Sequence, residues 1–484
     1  MYEFYPYITK DASIGLFSPS VDDIYHSSYG AATEAYQKFI FPAGIERLLH
    51  KTDEIRVLDI CYGIGYNTKS FLNYIFYIKN KKYFSKKYKN HEKILSLYTD
   101  TIPTDNMINS KNINNIDTLY TDNNKKQENI LSNNINIDKI YSDNILDKIE
   151  EKFQHDNVRK NFFNNKIKIY IKAIDNDKIL SFLSPFINSK ISENLKIKNN
   201  NINFKNEKIS KILNGEKSQN SDKKSINKNT PKIPSFLLEY PDAINIALLD
   251  SIIVQYPEMI LSTELTNILC DKKLNKFFSK YVARYFKLKN KMSIFSNKDD
   301  FCSFLHNIYY MYLSKRYKSD LKALKTLDIN FELKINDARL EIDSDVFEYD
   351  LIFLDAFTPS KCPCLWTIDF FKLLYNHLSS DGIILTYSNS APVKNAFLNA
   401  GFYVGKIYNP IENKFTGTIA AKNKALIKYP LSEFDLGLLK TKAGIFYRDT
   451  DLKTSNEAIL SDRKNEVEKC DLISATLYKK KYPN

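Results

Sequence analysis

The chain has 484 residues, 43% apolar and 26% charged, enough for two or three ordinary globular domains. Lys and Arg outnumber Asp and Glu by 70 to 57, and the resulting +13 suits a polyanionic partner without proving one. No apolar run approaches the roughly 20 residues of a membrane span, Met1 to Pro6 carries no secretory signal, and the six cysteines are scattered. These features exclude a membrane protein, a small disulfide scaffold and a collagen-like fibre, and point to the cytoplasm.

In chain order, Arg56 to Ile60 reads as a short buried strand, followed by a turn and a helix from about Asn67 to Lys79. Asn, Lys, Ile, Asp and Tyr dominate from about residue 84 to 165, and a second such tract runs from about 188 to 232. Asn is a poor helix former and is depleted in strands, so both tracts are expected to bury too little apolar surface to order themselves. They read either as Lys-rich arms for RNA phosphates or, more simply, as drift in an A/T-rich genome. Between them Ile167 to Ile171 alternates strictly and leads to Asp175, and a helical region follows from about 262 to 325. Phe331 to Ile335 leads into Asn336–Arg339, and Tyr349 to Asp355 is a fourth strand. A helix from about Leu365 to Leu378 passes through Asp381-Gly382 to the strand Ile383–Tyr387. A last helix, Val393 to Ala400, is closed by Gly401 and followed by Phe402–Val404.

Strands alternating with helices predict an α/β fold, a doubly wound, mostly parallel sheet carrying two long low-complexity insertions. The expected organisation is an amino-terminal extension (1–50), a first strand–helix unit (51–83), an insertion (84–165) and a second strand and helix (166–187). A second insertion (188–232), a helical segment packed on the sheet (233–329), the second half of the sheet (330–430) and a carboxyl-terminal extension (431–484) follow.

In such sheets ligands sit beyond the carboxyl ends of the strands. The first strand runs into Asp59-Ile60-Cys61-Tyr62-Gly63-Ile64-Gly65-Tyr66-Asn67, where Gly63 and Gly65 allow close backbone approach. The second ends at Asp175, whose carboxylate suits ribose hydroxyls. The third leads to Asp337-Ala338, an acid beside a backbone amide that suits an adenine edge. One such acid is most simply a solvated loop residue, but three in order, each at or just past a strand end, point to a nucleoside cofactor.

That order resembles the class I S-adenosylmethionine-dependent methyltransferases, with a Rossmann-like sheet. A closer resemblance lies in Asp355-Ala356-Phe357-Thr358-Pro359-Ser360-Lys361, continuing through Pro363 to Trp366, the single tryptophan. This segment is similar to one in the MnmC-like methyltransferases of wobble uridine in tRNA. So are Asp11-Ala12-Ser13, Tyr25-His26-Ser27, Gly30-Ala31, Glu34, Asp337-Ala338-Arg339, Thr386-Tyr387-Ser388 and Gly417–Ala420, while Gly444–Asp449 fits the stand-alone branch.

The resemblance implies S-adenosyl-L-methionine as cofactor and tRNA as partner. It implies methylation of the exocyclic amine of 5-aminomethyl-(2-thio)uridine at the wobble position. It assigns Asp59, Tyr62, Gly63, Gly65, Asn67, Asp175, Asp337 and Ala338 to the cofactor, Asp355 to catalysis, and Phe357, Trp366, Tyr25 and Glu34 to the substrate. The resemblance implies only the methyltransfer half, so no flavin domain is expected, and no metal, since Cys362-Pro363-Cys364 lacks partners for a tetrahedral site. Two residues depart from the pattern: Cys61 replaces a glycine and Lys394 an arginine. Methyl transfer to a small amine or a protein, and a catalytically silent RNA-binding relative, are the competing readings.

Overall fold

The structure is a computed structural model that describes residues 5–18, 23–25, 30–79, 166–191, 233–256, 258, 262–271, 274–278 and 326–483. The first Asn/Lys tract, nearly all of the second, His26 and residues 279–325 of the helical region lie outside the described residues.

At the amino terminus β1 (Tyr5–Ile8), β2 (Ile14–Ser18) and β3 (Asp23–Tyr25) form a small antiparallel sheet. It leads into α1 (Ala31–Ala35), which continues as a π-helical stretch over Tyr36–Ile40. The start of α1 is built by the preceding turn. Asp11 accepts the amide of Thr33 and the Ser13 hydroxyl accepts that of Ala31, both at 2.8 Å. Gly30, at φ 147°, lets Asp11 approach: a Cβ there would lie 2.2 Å from its carboxyl carbon.

The main sheet comprises β4 (Glu54–Ile60), β5 (Ile167–Asp175), β6 (Leu327–Ile335), β7 (Tyr349–Leu354), β8 (Leu378–Thr386), β9 (Tyr403–Asn409) and β10 (Lys414–Ala421). Its spatial order is β6-β5-β4-β7-β8-β10-β9. The first five pair in parallel, and β10 pairs antiparallel with both β8 and β9. This is the mostly parallel, doubly wound α/β sheet that the alternation predicts. Chain order reverses beside β4, which places a crevice between the ends of β4 and β7.

Helices cover both faces, so the central strands are apolar on both sides; Val57, Leu58, Ile60, Leu351, Ile352, Phe353 and Leu354 are wholly buried. On one face α2 (Tyr66–Lys79) is buried along its whole length, and α3 (Asp242–Gln255) crosses beside it. The Gln255 side chain of α3 accepts from the Leu333 amide and donates to the Phe331 carbonyl of β6. Residues 338–343 form α4, Ile368–Asn376 α5 and Ala391–Asn399 α6. Phe371 and Phe397 stack α5 on α6, with centroids 3.8 Å apart.

The helix expected from Leu365 to Leu378 is shorter at both ends. Pro363–Trp366 is a 3-10 turn, Thr367 caps α5 by accepting the Phe370 amide at 3.1 Å, and Leu378 already belongs to β8. The strand expected to begin at Ile383 already begins at Leu378, and Asp381-Gly382 lies inside it, where the β7–β8 register shifts.

Candidate active site

Three acids converge at the crevice. Asp59, near the end of β4, is wholly buried and accepts the Thr68 hydroxyl at 2.6 Å. Its other oxygen is buried with no hydrogen-bond partner among the described residues. Asp175 ends β5 and accepts the amides of Gly63 and Asp177 at 2.6 and 2.7 Å. Its carboxylate therefore shapes the glycine loop directly, and each oxygen keeps a lone pair for a ligand hydroxyl. Asp355 follows β7, its amide bonded to the Ile60 carbonyl at 3.2 Å, and accepts the Asn67 side-chain amide at 3.0 Å. Asn67, assigned from sequence to the cofactor, thus ties the first turn of α2 to the proposed catalytic acid.

The loop from Cys61 to Gly65 turns through left-handed conformations, with φ of 64° at Cys61, 52° at Gly63 and 74° at Gly65. The amides of Cys61 and Tyr62 bond the Ile174 carbonyl of β5 at 2.9 and 3.1 Å. Tyr62 points inward: its hydroxyl meets Ser184 at 2.7 Å and its ring packs against Phe331, so its backbone is what it offers the cleft. A side chain at the αL position of Cys61 costs about 1–2 kcal/mol, and glycine's extra freedom returns part of that gain. Cys61→Gly should therefore raise stability by up to about 1 kcal/mol. An unchanged or lower urea midpoint would contradict that expectation.

Electrostatics follow from crowding acids in a dry cleft. Burial, with the charges of Asp355 and Asp175 adding, pushes the Asp59 carboxyl up to about 8. Burial raises Asp175 to about 6 despite its amide partners. Asp355 rises to about 7 through burial and then the charge of Glu34, with the Asn67 hydrogen bond and Lys38 drawing it back. Each carboxyl holds its proton more tightly folded than unfolded, so each costs stability as pH climbs from its unfolded value through its folded one. For Asp59 that window runs from 3.8 to about 8. Asp59→Asn keeps an acceptor for Thr68 and loses the titration. Its stability relative to the parent chain should therefore rise with pH across the window in thermal melts of the ligand-free proteins, and a flat or falling difference would refute this.

The remaining assigned residues divide. Asp337 caps α4, accepting the Arg339 amide at 2.9 Å, and both its oxygens are engaged by the Arg339 guanidinium, down to 2.6 Å. Arg339 continues to the buried Asp449 at 2.7 Å. Asp337 is therefore shared with its own helix and this ion-pair chain, while its side chain stays 34% exposed. Ala338 is the buried first residue of α4. Trp366 is wholly buried, so it cannot stack on a base as expected; its indole donates to the Phe357 carbonyl at 2.8 Å. Phe357 is half-buried in the segment after Asp355. Tyr25 lies on β3, and its side chain is outside the described residues. Glu34 is half-buried and paired with Lys38 one turn along.

Tyr387, quoted from the sequence without a role, is the residue that reasoning missed. It follows β8, donates to the Ala356 carbonyl at 2.7 Å, packs edge-on against Trp366 and faces the Lys38 ammonium 5.5 Å from its ring centroid. Its place just past a strand end and its segment's resemblance to the MnmC-like methyltransferases marked it. Among the described residues no group of three or more His, Cys, Asp or Glu is arranged to hold a metal. The orphaned Asp59 oxygen, the three acids and the side-chain-free loop at Gly63 and Gly65 fit a nucleoside that carries positive charge.

Residues 299–423 match a family described as S-adenosyl-L-methionine-dependent methyltransferase. An uncharacterized protein of Methanocaldococcus jannaschii, MJ0670, is 30% identical over 154 residues, covering 32% of this chain and 41% of that protein. The tRNA 5-methylaminomethyl-2-thiouridine biosynthesis bifunctional protein MnmC of Burkholderia vietnamiensis is 36% identical over 75 residues, 16% of this chain and 12% of its own length. This chain thus spans less than half of these relatives. The crystal structure of MnmC2 from Aquifex aeolicus aligns over 97% of this chain and 87% of its own, with 17% identity and a TM-score of 0.47. Residues 299–423 are thus similar to an S-adenosyl-L-methionine-dependent methyltransferase family, and a 75-residue stretch of the chain to MnmC.

Proposed function

We propose that this protein methylates the exocyclic amine of 5-aminomethyl-(2-thio)uridine at the wobble position of tRNA, giving the methylaminomethyl form. The observation that carries the reading is Asp355, a carboxyl at the crevice held by Asn67 and flanked by the charges of Glu34 and Lys38. S-adenosyl-L-methionine supplies an electrophilic methyl group. Asp59, Asp175 and the Cys61–Gly65 loop bind and orient that cofactor. Asp355, as the carboxylate, takes a proton from the acceptor's ammonium, holds the resulting neutral amine by one N–H and aims its lone pair along the line of displacement; the transfer leaves a secondary ammonium beside the acid. The half-buried Phe357 offers a ring to the uracil, as unpaired RNA bases commonly stack on aromatic side chains. Trp366 holds the Phe357 backbone from beneath.

The MnmC name of the relatives supports tRNA as acceptor, and the +13 charge is compatible with it. The test is transfer from labelled cofactor to tRNA taken from a strain lacking this modification, followed by nucleoside mass spectrometry. Conversion of aminomethyluridine to methylaminomethyluridine is the expected result. Transfer only to small amines or proteins, or no transfer, overturns the reading.

A further inference from the structure

Glu34 and Lys38 form an i, i+4 pair, which on an open helix surface contributes little. Their setting is different. The turn built by Asp11, Ser13 and Gly30 fixes the start of α1, and the following stretch is π-helical over Tyr36–Ile40, a rare geometry found often at functional sites. Lys38 is only 22% and Glu34 15% exposed, and the pair faces the crevice: the Lys38 ammonium sits over the Tyr387 ring, and both charges act on Asp355. Tyr387 is held in place by the Ala356 carbonyl and Trp366. A carboxylate, an aromatic face and a second acid around an alkylammonium are the parts of an amine-recognition site.

The geometry points to Lys38 as an internal stand-in for the acceptor: its ammonium occupies the subsite of Glu34, Tyr387 and Asp355 until the ammonium of an incoming aminomethyl group displaces it. This rests on the alkylamine reading of the acceptor given above. The side chain of Lys38 ends in the same CH2–NH3+ group, on a flexible stem that can swing out to solvent. Its presence prevents Glu34 and Asp355 from confronting each other without a counter-charge. It also means that a cationic acceptor must first displace Lys38, so Glu34, Tyr387 and Asp355 carry the preference for a cation and Lys38 offsets part of it.

The test compares Kd for tRNA bearing aminomethyluridine with Kd for the same tRNA bearing plain uridine, in the parent chain and in Lys38→Met and Lys38→Arg. Removing the competitor should raise the preference for the aminomethyl form by roughly 3- to 10-fold, the worth of one partly screened charge pair, and should lower its KM. Lys38→Arg keeps the cation and should restore the parent preference. If Lys38 instead holds RNA phosphate or only supports the fold, Lys38→Met weakens both tRNAs alike; an unchanged preference overturns the inference. Methyl transfer by the parent chain with no change of preference refutes only the role of Lys38. No transfer and no preference in the parent chain refute it together with the proposed function.

Discussion

Asp355→Asn is expected to lower kcat for methyl transfer by about 10²- to 10³-fold while leaving the affinity for S-adenosyl-L-methionine nearly unchanged. The substitution preserves size and one carbonyl acceptor, and the Asn67 amide, bonded to Asp355 at 3.0 Å, still finds a partner. What is lost is the charge that takes the proton and aims the amine. A second readout separates this from simple misfolding. The carboxylate is the working form, so activity of the parent chain should rise with pH as Asp355 ionises, and the Asn variant should lack that limb. In the ligand-free protein the carboxyl stands at about 7, raised by burial and by Glu34. A bound sulfonium draws it down, so the limb measured at saturating cofactor should fall below that value. Isothermal titration for the cofactor and single-turnover rates across pH make the comparison. Equal loss of affinity and rate would assign Asp355 to cofactor binding.

The sheet was legible because its central strands are buried on both faces and so read as apolar runs, as in Leu351–Leu354. The acids at their ends were legible for a topological reason: in a parallel sheet those ends share one rim. Individual tasks were harder to read. Asp337 follows the same pattern as Asp175, yet it caps its helix and is engaged by Arg339, a contact local enough to be suspected from Asp337-Ala338-Arg339. Trp366 was expected at the substrate because it is aromatic and near Asp355; aromatic character does not distinguish a stacking face from a core plug, and it is wholly buried. The Glu34, Lys38 and Tyr387 grouping was not legible at all. It joins an amino-terminal helix to the end of β8 across most of the chain, and no local spacing encodes such a meeting.

Gly65→Ala should destabilise the protein by about 2–5 kcal/mol and weaken cofactor binding at least tenfold. Two costs add. At φ 74° the backbone is left-handed, which a β-carbon penalises by about 1–2 kcal/mol. The new atom would also lie 2.5 Å from the Ser184 hydroxyl and from Cζ and the hydroxyl of Tyr62. Those are side-chain ends, which ordinarily give way, but here they are confined. Ser184 is wholly buried, its carbonyl accepts the buried Lys69 ammonium at 2.8 Å, and Tyr62 is packed against Phe331. Overpacking of such a site costs about 1–3 kcal/mol more. Relief by pushing Tyr62 aside would drag its neighbour Gly63, whose amide bonds Asp175 at 2.6 Å, so strain in the core reaches the cofactor loop. Ser184→Ala tests that route, since it removes one of the three close atoms and the Tyr62 hydroxyl's partner together. The double variant should recover part of the stability lost in Gly65→Ala but keep its backbone penalty. Strict additivity of the two substitutions in a double-mutant cycle would show that the clash with Ser184 is not the cause.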